Sequence, residues 1–296
     1  FEAACYTNLS QDHLDYFHTM EQYFAAKKRF FTGNFALNVS LNIDDETSLH
    51  ILEDMTVPYL TYGIRANSDL FARDIEISEN GIHFQIQLRN IETFEVNMQM
   101  TGMFNVYNAL AAASLAMIFG VEVSAIQAGL HNVRSVPGRI ELLDLPVPFK
   151  VILDYSHSPD ALENILTTVR TFTQNRLIVL FGCGGDRDQG KRPIMGEIGG
   201  QLADFCILTS DNPRTEDPAH ILEAIEEGMK QTAGKYTVIE NRREAIRYAL
   251  DMAEEGDIII LAGKGHETYQ EIMGVKRPFD EKAVVSELLE EKQNKR

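Results

Sequence analysis

Apolar positions change their rhythm several times along this chain, and each change predicts an element. Over residues 12–31, Leu14, Phe17, Met20 and Phe24 form one stripe at helical spacing behind a polar start, which predicts a helix. Residues 36–41 and 59–62 read as short strands. From 68 to 100 the period drops to two: Ala72, Ile75 and Ile77, then Ile82, Phe84 and Ile86, then Phe94, Val96 and Met98. Side chains that alternate in this way line one face of a half-buried strand, so a small antiparallel meander is expected. Asn80-Gly81 supplies a two-residue hairpin turn within it. An Ala-rich helix over 105–119 and a second over 123–130 complete this part.

Behind Val136-Pro137-Gly138-Arg139 short apolar runs at 151–153, 177–181, 205–208, 237–239 and 258–261 alternate with amphipathic segments of helix length. That is the βαβ rhythm of a mostly parallel sheet covered by helices. The fold class is therefore α/β, with a boundary near 137 separating residues 1–136 from 137–296. Four polar, Gly-rich stretches sit just past predicted strand ends: Asp154-Tyr155-Ser156-His157, Gly182 to Arg187, Ser210 to Arg214, and Gly263-Lys264-Gly265-His266-Glu267. Ligands bind at the carboxyl edge of such sheets, so the four loops are expected to share one site.

Length and charge narrow the field. At 296 residues two domains are expected. The longest apolar stretch, 109–121, is too short to span a bilayer, and no secretory leader is visible at Phe1-Glu2-Ala3-Ala4. The start lacks Met and reads like the inside of a strand, so a truncated or excised chain is expected. A net charge of -17 argues against nucleic-acid and anionic-membrane partners, which need basic patches. Cys5, Cys183 and Cys206 are too few and too scattered for a disulfide framework or a zinc site, and a reducing cytoplasm is the simple reading.

Several short motifs carry chemistry. Gly185, Gly190 and Lys191 have phosphate-loop spacing, but Arg192 stands where a hydroxyl should hold magnesium, and Asp186 and Asp188 would repel phosphate. A turn so rich in both charges suits an amino acid better than a nucleotide. In Asp211-Asn212-Pro213-Arg214 the arginine offers a fork to a carboxylate and the aspartate a partner to an ammonium, beside an ordinary turn reading. Phe104-Asn105-Val106-Tyr107-Asn108 puts two amides near a helix start, where anions are favoured, although an N-cap explains it as well. A histidine at His13, beside Asp12 and Asp15, ordinarily caps a helix or sits on the surface.

Taken together, and in this order along essentially the whole chain, these motifs resemble the Mur ligases: Thr7-Asn8-Leu9-Ser10 with Asp12-His13-Leu14-Asp15, the Lys27 segment, Gly102 to Asn108, Pro137-Gly138-Arg139, Asp154 to Asp160, and Gly263 to Glu267. The loop 182–193 and the tetrapeptide 211–214 are similar to those of the UDP-N-acetylmuramoyl-tripeptide synthetase branch. The resemblance implies the remainder of a central ATPase domain followed by a Rossmann-like C-terminal domain. It implies an ATP-dependent ligase of peptidoglycan precursor synthesis that joins meso-diaminopimelate to UDP-MurNAc-L-Ala-D-Glu through an acyl phosphate, with Mg2+. Lys27 would be a carbamoylated lysine supporting the metal, with His13 beside it. Asn105, Asn108, Arg139, Asp154 and His157 would line the nucleotide. Arg187, Asp211, Asn212, Pro213, Arg214, Gly263 and Glu267 would grip the amino acid. Small-molecule substrates and a monomer follow from the same resemblance.

The family's phosphate loop, its magnesium-binding Glu and its UDP-binding domain find no match in these residues, so no ligase turnover is expected of this polypeptide alone. Three other readings stand beside this one: an L-lysine-adding, other Mur or folylpolyglutamate-type ligase; a non-catalytic ligand-binding module; and a dinucleotide oxidoreductase, for which no glycine fingerprint follows any strand.

Overall fold

A computed structural model describes residues 1–65, 67–78, 80–89 and 91–294. The chain forms two compact units, Phe1–Ser10 with Tyr16–Arg134, and Gln11–Asp15 with Ser135–Arg296. The crossing at 134/135 lies beside the expected boundary, but the short segment around Asp12 folds with the second unit rather than the first. Among the described residues, no helix is long and apolar enough to cross a membrane.

The first unit contains β1 (Ala4–Tyr6), α1 (Leu14–Phe17), α2 (Met20–Thr32), β2 (Val39–Asn42), α3 (Thr47–Leu52), β3 (Tyr59–Gly63), β4 (Leu70–Ser78), β5 (Gly81–Leu88), β6 (Glu92–Met98), α4 (Met103–Ile118) and α5 (Val123–Asn132), with α1 straddling the edge of the segment that leaves it. Its sheet runs β1-β2-β3-β4-β5-β6, parallel as far as β4 and antiparallel beyond. The alternating residues Ala72, Ile82, Phe84, Ile86, Phe94, Val96 and Met98 all pack into one core against Val106, Ala109, Leu110 and Ala113 of α4. Small alanines let that helix approach closely enough for Ser114 and Ser40 of β2 to meet at 2.5 Å between hydroxyls.

Three local expectations are corrected. The stripe over 12–31 is not one helix: His18 adopts φ +62, and Thr19 then caps α2 by accepting from the Gln22 amide at 3.3 Å. A hydroxyl cap offers the chain a fresh start that periodicity does not register. The strand expected at 36–41 begins only at Val39. In the hairpin Gly81 is already paired with Ser78, at φ +139, instead of sitting in the turn, and Glu79 lies outside the described residues.

The second unit comprises β7 (Glu141–Leu142), β8 (Lys150–Asp154), α6 (Pro159–Arg170), β9 (Leu177–Phe181), α7 (Lys191–Leu202), β10 (Phe205–Leu208), α8 (Pro218–Met229), β11 (Tyr236–Val238), α9 (Arg242–Met252), β12 (Ile258–Ala262), β13 (Tyr269–Ile272), β14 (Val275–Pro278) and α10 (Glu281–Gln293). The sheet order is β11-β10-β9-β12-β8-β7, parallel except for the edge strand β7. Ile152, Val179, Ile258 and Ile260 face the helices α6, α7 and α8, whereas Val151, Leu153, Ile178, Ile259 and Leu261 face α9 and α10. Both faces are covered, which is why these strands read as continuous apolar runs. Burial pushes the Cys183 and Cys206 thiols up to about 12, so both stay protonated and inert.

At the opposite edge from the loops, Asp257 holds the start of β12. Its carboxylate, with no exposed side-chain surface, accepts from the Arg176 amide at 3.0 Å, the Arg176 Nη2 at 2.6 Å and the Glu254 amide at 2.8 Å. Burial alone would raise its pKa, but these donors prevail and hold it below the usual carboxylate range. A depressed folded-state pKa gives stability that is present at neutral pH and lost as pH falls through that value. Asp257→Asn is expected to cost about 2 kcal/mol at pH 7. The gap between the thermal midpoints of parent and variant should shrink from pH 7 towards pH 3; a constant gap would exclude this role.

Candidate functional site

Because β10, β9, β12 and β8 are neighbours, the loops that follow them open along one edge. Backbone contacts lock those loops together. The Gly263 amide donates to Asp154 O at 3.0 Å, Gly185 N to Asn212 O at 2.9 Å, and Tyr155 N to Gly138 O at 2.8 Å. Two close approaches require glycine. A Cβ on Gly185 would stand 2.0 Å from the Pro213 carbonyl oxygen, and one on Gly138, already at φ +71, would stand 2.4 Å from the His266 amide. The turn at 137–139 therefore stacks on the loop 263–267, and Pro213 roofs the loop 182–187.

The centre of the rim is built on a lysine with no exposed surface. Lys264 Nζ lies 3.1 Å from Asn212 Oδ1, 3.1 Å from Glu267 Oε2 and 3.5 Å from Asp211 Oδ1. Asn212 Nδ2 donates to the same Glu267 oxygen at 2.9 Å. One ammonium set against two carboxylates leaves a net negative charge. That field raises the pKa of the Tyr155 hydroxyl, after burial itself, through Glu267 and Asp211. Gly263 leans on the same group: a Cβ there would be 3.3 Å from Asp211 Oδ2.

The cationic side lies next to it. Arg214 adopts φ +51, which turns its side chain back over the loop of β9, where Nη1 donates to Gly185 O at 2.6 Å. Its Nε stands 3.7 Å from Glu271 Oε2. A Cβ on Gly184 would meet Arg214 Nη1 at 2.8 Å and Arg187 Cγ at 3.8 Å, so the two arginines flank one glycine. Arg187 is exposed, with Nη1 on Asp186 O at 3.1 Å. The β13–β14 hairpin is laced to this loop: Arg214 N donates to Glu271 O at 3.1 Å, Met273 N to Arg214 O at 2.6 Å, and Gln270 Nε2 to Asp211 O at 2.7 Å. Arg187, Asp211, Asn212, Pro213, Arg214, Gly263 and Glu267 are thus brought together on one rim.

The loop with phosphate-loop spacing is closed on itself. Asp188 accepts from Gly190 N at 2.8 Å and from Gln11 Nε2 at 3.0 Å, so a carboxylate already occupies the mouth that a phosphate would need. Lys191 is nearly buried, 3.7 Å from Asp12 Oδ1. Burial raises the Asp12 carboxyl, but His157, Lys191 and the His13 amide outweigh it and hold the group well below its ordinary range.

The residues expected at a nucleotide fall in both units. In the second, Asp154 is consumed by the loop: it accepts from Ile140 N at 2.9 Å, from Ser156 N at 2.8 Å and from the Ser156 hydroxyl. Exposed Arg139 lies 4.8 Å over the Tyr155 ring, and the His157 ring packs 4.7 Å from the same ring. One guanidinium and two rings are thereby gathered at this edge. In the first unit Asn105 Nδ2 donates to Thr101 O at 2.8 Å and Asn108 Nδ2 to Asn105 Oδ1 at 3.0 Å, a local use of both amides at the start of α4. Lys27 Nζ donates to Asn8 O at 3.0 Å and lies 4.7 Å over the Tyr23 ring. His13 sits on the segment that folds with the second unit, its amide on Asp12 Oδ1 at 2.9 Å. Among the described residues no three His, Cys, Asp or Glu are grouped to hold a metal ion. One imidazole and one lysine do not by themselves fit a magnesium site.

Residues 1–116 match the Mur ligase middle domain, and residues 138–265 match the Mur ligase glutamate ligase domain. The chain belongs to the Mur ligase family. Two curated Mur ligases named UDP-N-acetylmuramoyl-L-alanyl-D-glutamate–2,6-diaminopimelate ligase are similar over 98% of the chain: one from Caldanaerobacter subterraneus subsp. tengcongensis at 46% identity, one from Syntrophomonas wolfei subsp. wolfei at 45%. The chain spans 60% of the length of each. A solved ligase with that same name aligns over 99% of the chain and 61% of its own, with a TM-score of 0.60 at 36% identity. A solved MurF from Acinetobacter baumannii shares the fold, with a TM-score of 0.75 at 19% identity over 98% of the chain and 60% of its own.

Lys264 stands inside the motif Gly263 to Glu267 without a role assigned from the sequence. A lysine between two glycines after a buried strand has little room to leave the core, and that was the available signal. Glu271 gave none, because its strand is short and polar.

Proposed function

We propose that this Mur ligase chain receives meso-diaminopimelate and takes part in joining it to UDP-MurNAc-L-Ala-D-Glu, the reaction for which its relatives are named. The observation that carries the proposal is the division of one rim into a net negative centre, Asp211–Lys264–Glu267, and a cationic flank, Arg187 and Arg214 about Gly184. An amino acid with a second zwitterionic end needs both. The negative centre receives an ammonium, and the arginine fork receives a carboxylate in two parallel hydrogen bonds. L-Lysine has no second carboxylate and leaves the fork unused, which disfavours a lysine-adding ligase. The paired charges equally disfavour a dinucleotide oxidoreductase.

ATP, when bound, supplies the phosphoryl group that turns the acceptor's carboxylate into an acyl phosphate. On the second unit Arg139, Tyr155 and His157 are the groups suited to face the nucleotide, while Asp154 shapes the turn that presents them. On the first unit by itself, Asn105 and Asn108 are proposed to contact a nucleotide, and Lys27, once converted to a carbamate, to offer an oxygen to Mg2+. A cytoplasmic setting, where such nucleotide substrates occur, belongs to the same proposal. Titration with meso-diaminopimelate and L-lysine, followed by thermal unfolding and by calorimetry, tests the amino-acid assignment. A rise in unfolding temperature with the first ligand alone is expected; equal shifts with both would overturn it.

A further inference from the structure

Beneath the rim, Arg242 at the first turn of α9 and Glu281 at the first turn of α10 are each 1% exposed. Arg242 Nε donates to Glu281 Oε1 at 2.8 Å, Nη2 to Ala262 O at 2.8 Å, and Nη1 to Ser210 O at 3.4 Å. Ala262 and Ser210 are the residues immediately before Gly263 and Asp211. One guanidinium therefore spans the carbonyls from which both amino-acid-gripping loops depart. The other Glu281 oxygen, Oε2, is buried without a hydrogen-bond partner. A buried ion pair with an unsatisfied oxygen is a poor way to stabilise a fold, because a well-packed apolar pair of similar volume is usually as stable or more so. The planar, three-way geometry of the arginine is what an apolar pair cannot supply.

We propose that Arg242, held in place by Glu281, is a positioning residue for amino-acid binding: it fixes the separation of the 211–214 and 263–267 loops and so keeps the Asp211–Lys264–Glu267 centre and Arg214 in register. This rests on the amino-acid assignment above, but the brace itself is a property of the protein without ligand. Lys264, Asn212 and Glu267 are bonded across the same two loops, so a small change in loop separation breaks contacts of about 3 Å at once. Removing the brace loosens the rim without touching a residue that meets the substrate.

The test pairs Arg242→Met/Glu281→Leu with the parent chain, read by thermal unfolding, by amide hydrogen exchange and by calorimetric titration with meso-diaminopimelate. The expected result has three parts. The unfolding midpoint stays near that of the parent, exchange speeds up selectively at 211–214 and 263–267, and the dissociation constant for meso-diaminopimelate rises by about tenfold or more, the scale of one or two lost hydrogen bonds from a charged donor. Should the double variant not fold, Arg242→Lys serves: it keeps the charge opposite Glu281 but cannot reach both carbonyls, and the same selective exchange is expected. Parent-like exchange in both loops overturns the proposal, and so does acceleration spread over the whole second unit. A parent chain that shows no meso-diaminopimelate binding strikes the substrate assignment alone, since the exchange measurement judges the brace without ligand.

Discussion

Replacing Arg214 with alanine is expected to weaken binding of meso-diaminopimelate by about a hundredfold, the scale of a charge-assisted bidentate pair, while L-lysine binding changes by about twofold at most. The reason lies in how the side chain is held. One nitrogen is fixed on Gly185 O and another faces Glu271, so the guanidinium plane is oriented before any ligand arrives. An arginine pre-set in this way loses little freedom when a carboxylate docks, and lysine, a point charge, cannot replace it. The backbone at φ +51 strains arginine and alanine alike, so Arg214→Gly is the companion variant that removes the side chain while relieving that strain. Calorimetric titration of both variants with both amino acids gives the four constants required. Parallel losses for the two ligands would mean that Arg214 maintains the rim without reading the distal carboxylate.

Lys264→Met is expected to produce the largest loss of stability of any single change at the rim. The ammonium has no exposed surface, and Asp211 and Glu267 lie within 3.5 Å of it. Removing one member of a buried charge cluster leaves the others uncompensated, which typically costs about 3–5 kcal/mol. For a unit of this size that is a fall on the order of 10 °C in unfolding midpoint, read by differential scanning calorimetry at pH 7. A variant that keeps the parent midpoint would show that water reaches the two carboxylates and that the lysine is not their counter-charge.

Much of this architecture was legible in the residues. The period-two stretches at 72–77, 82–86 and 94–98 and the apolar runs of the second half became β4, β5, β6 and β8 to β12, because burial of one face or of both writes itself directly into hydrophobic spacing. Loops after parallel strands were expected to converge, and Arg187, Asp211, Arg214, Gly263 and Glu267 do so. The misses share a different cause. The break at His18, the short helix α3 and the β13–β14 hairpin depend on caps and backbone turns, not on a long apolar stripe. The span of Arg242 across two loops, and the docking of the Asp12 segment onto the second unit, are contacts between residues far apart in the chain, and no local pattern announces them.

The lacing of β13–β14 to residues 211–214 bears on any attempt to move this selectivity into another ligase. The matched glutamate ligase domain stops at residue 265, yet Glu267, Gln270 and Glu271, which set Asp211, Asn212 and Arg214, all come afterwards. A transplant cut at the domain's recognised border would deliver the arginine with a foreign ribbon beside it, and the guanidinium would lose the acidic neighbour that steadies it. Chimaeras intended to exchange amino-acid preference should therefore take their right-hand junction beyond α10, so that the ribbon and Glu281, the partner of Arg242, travel together.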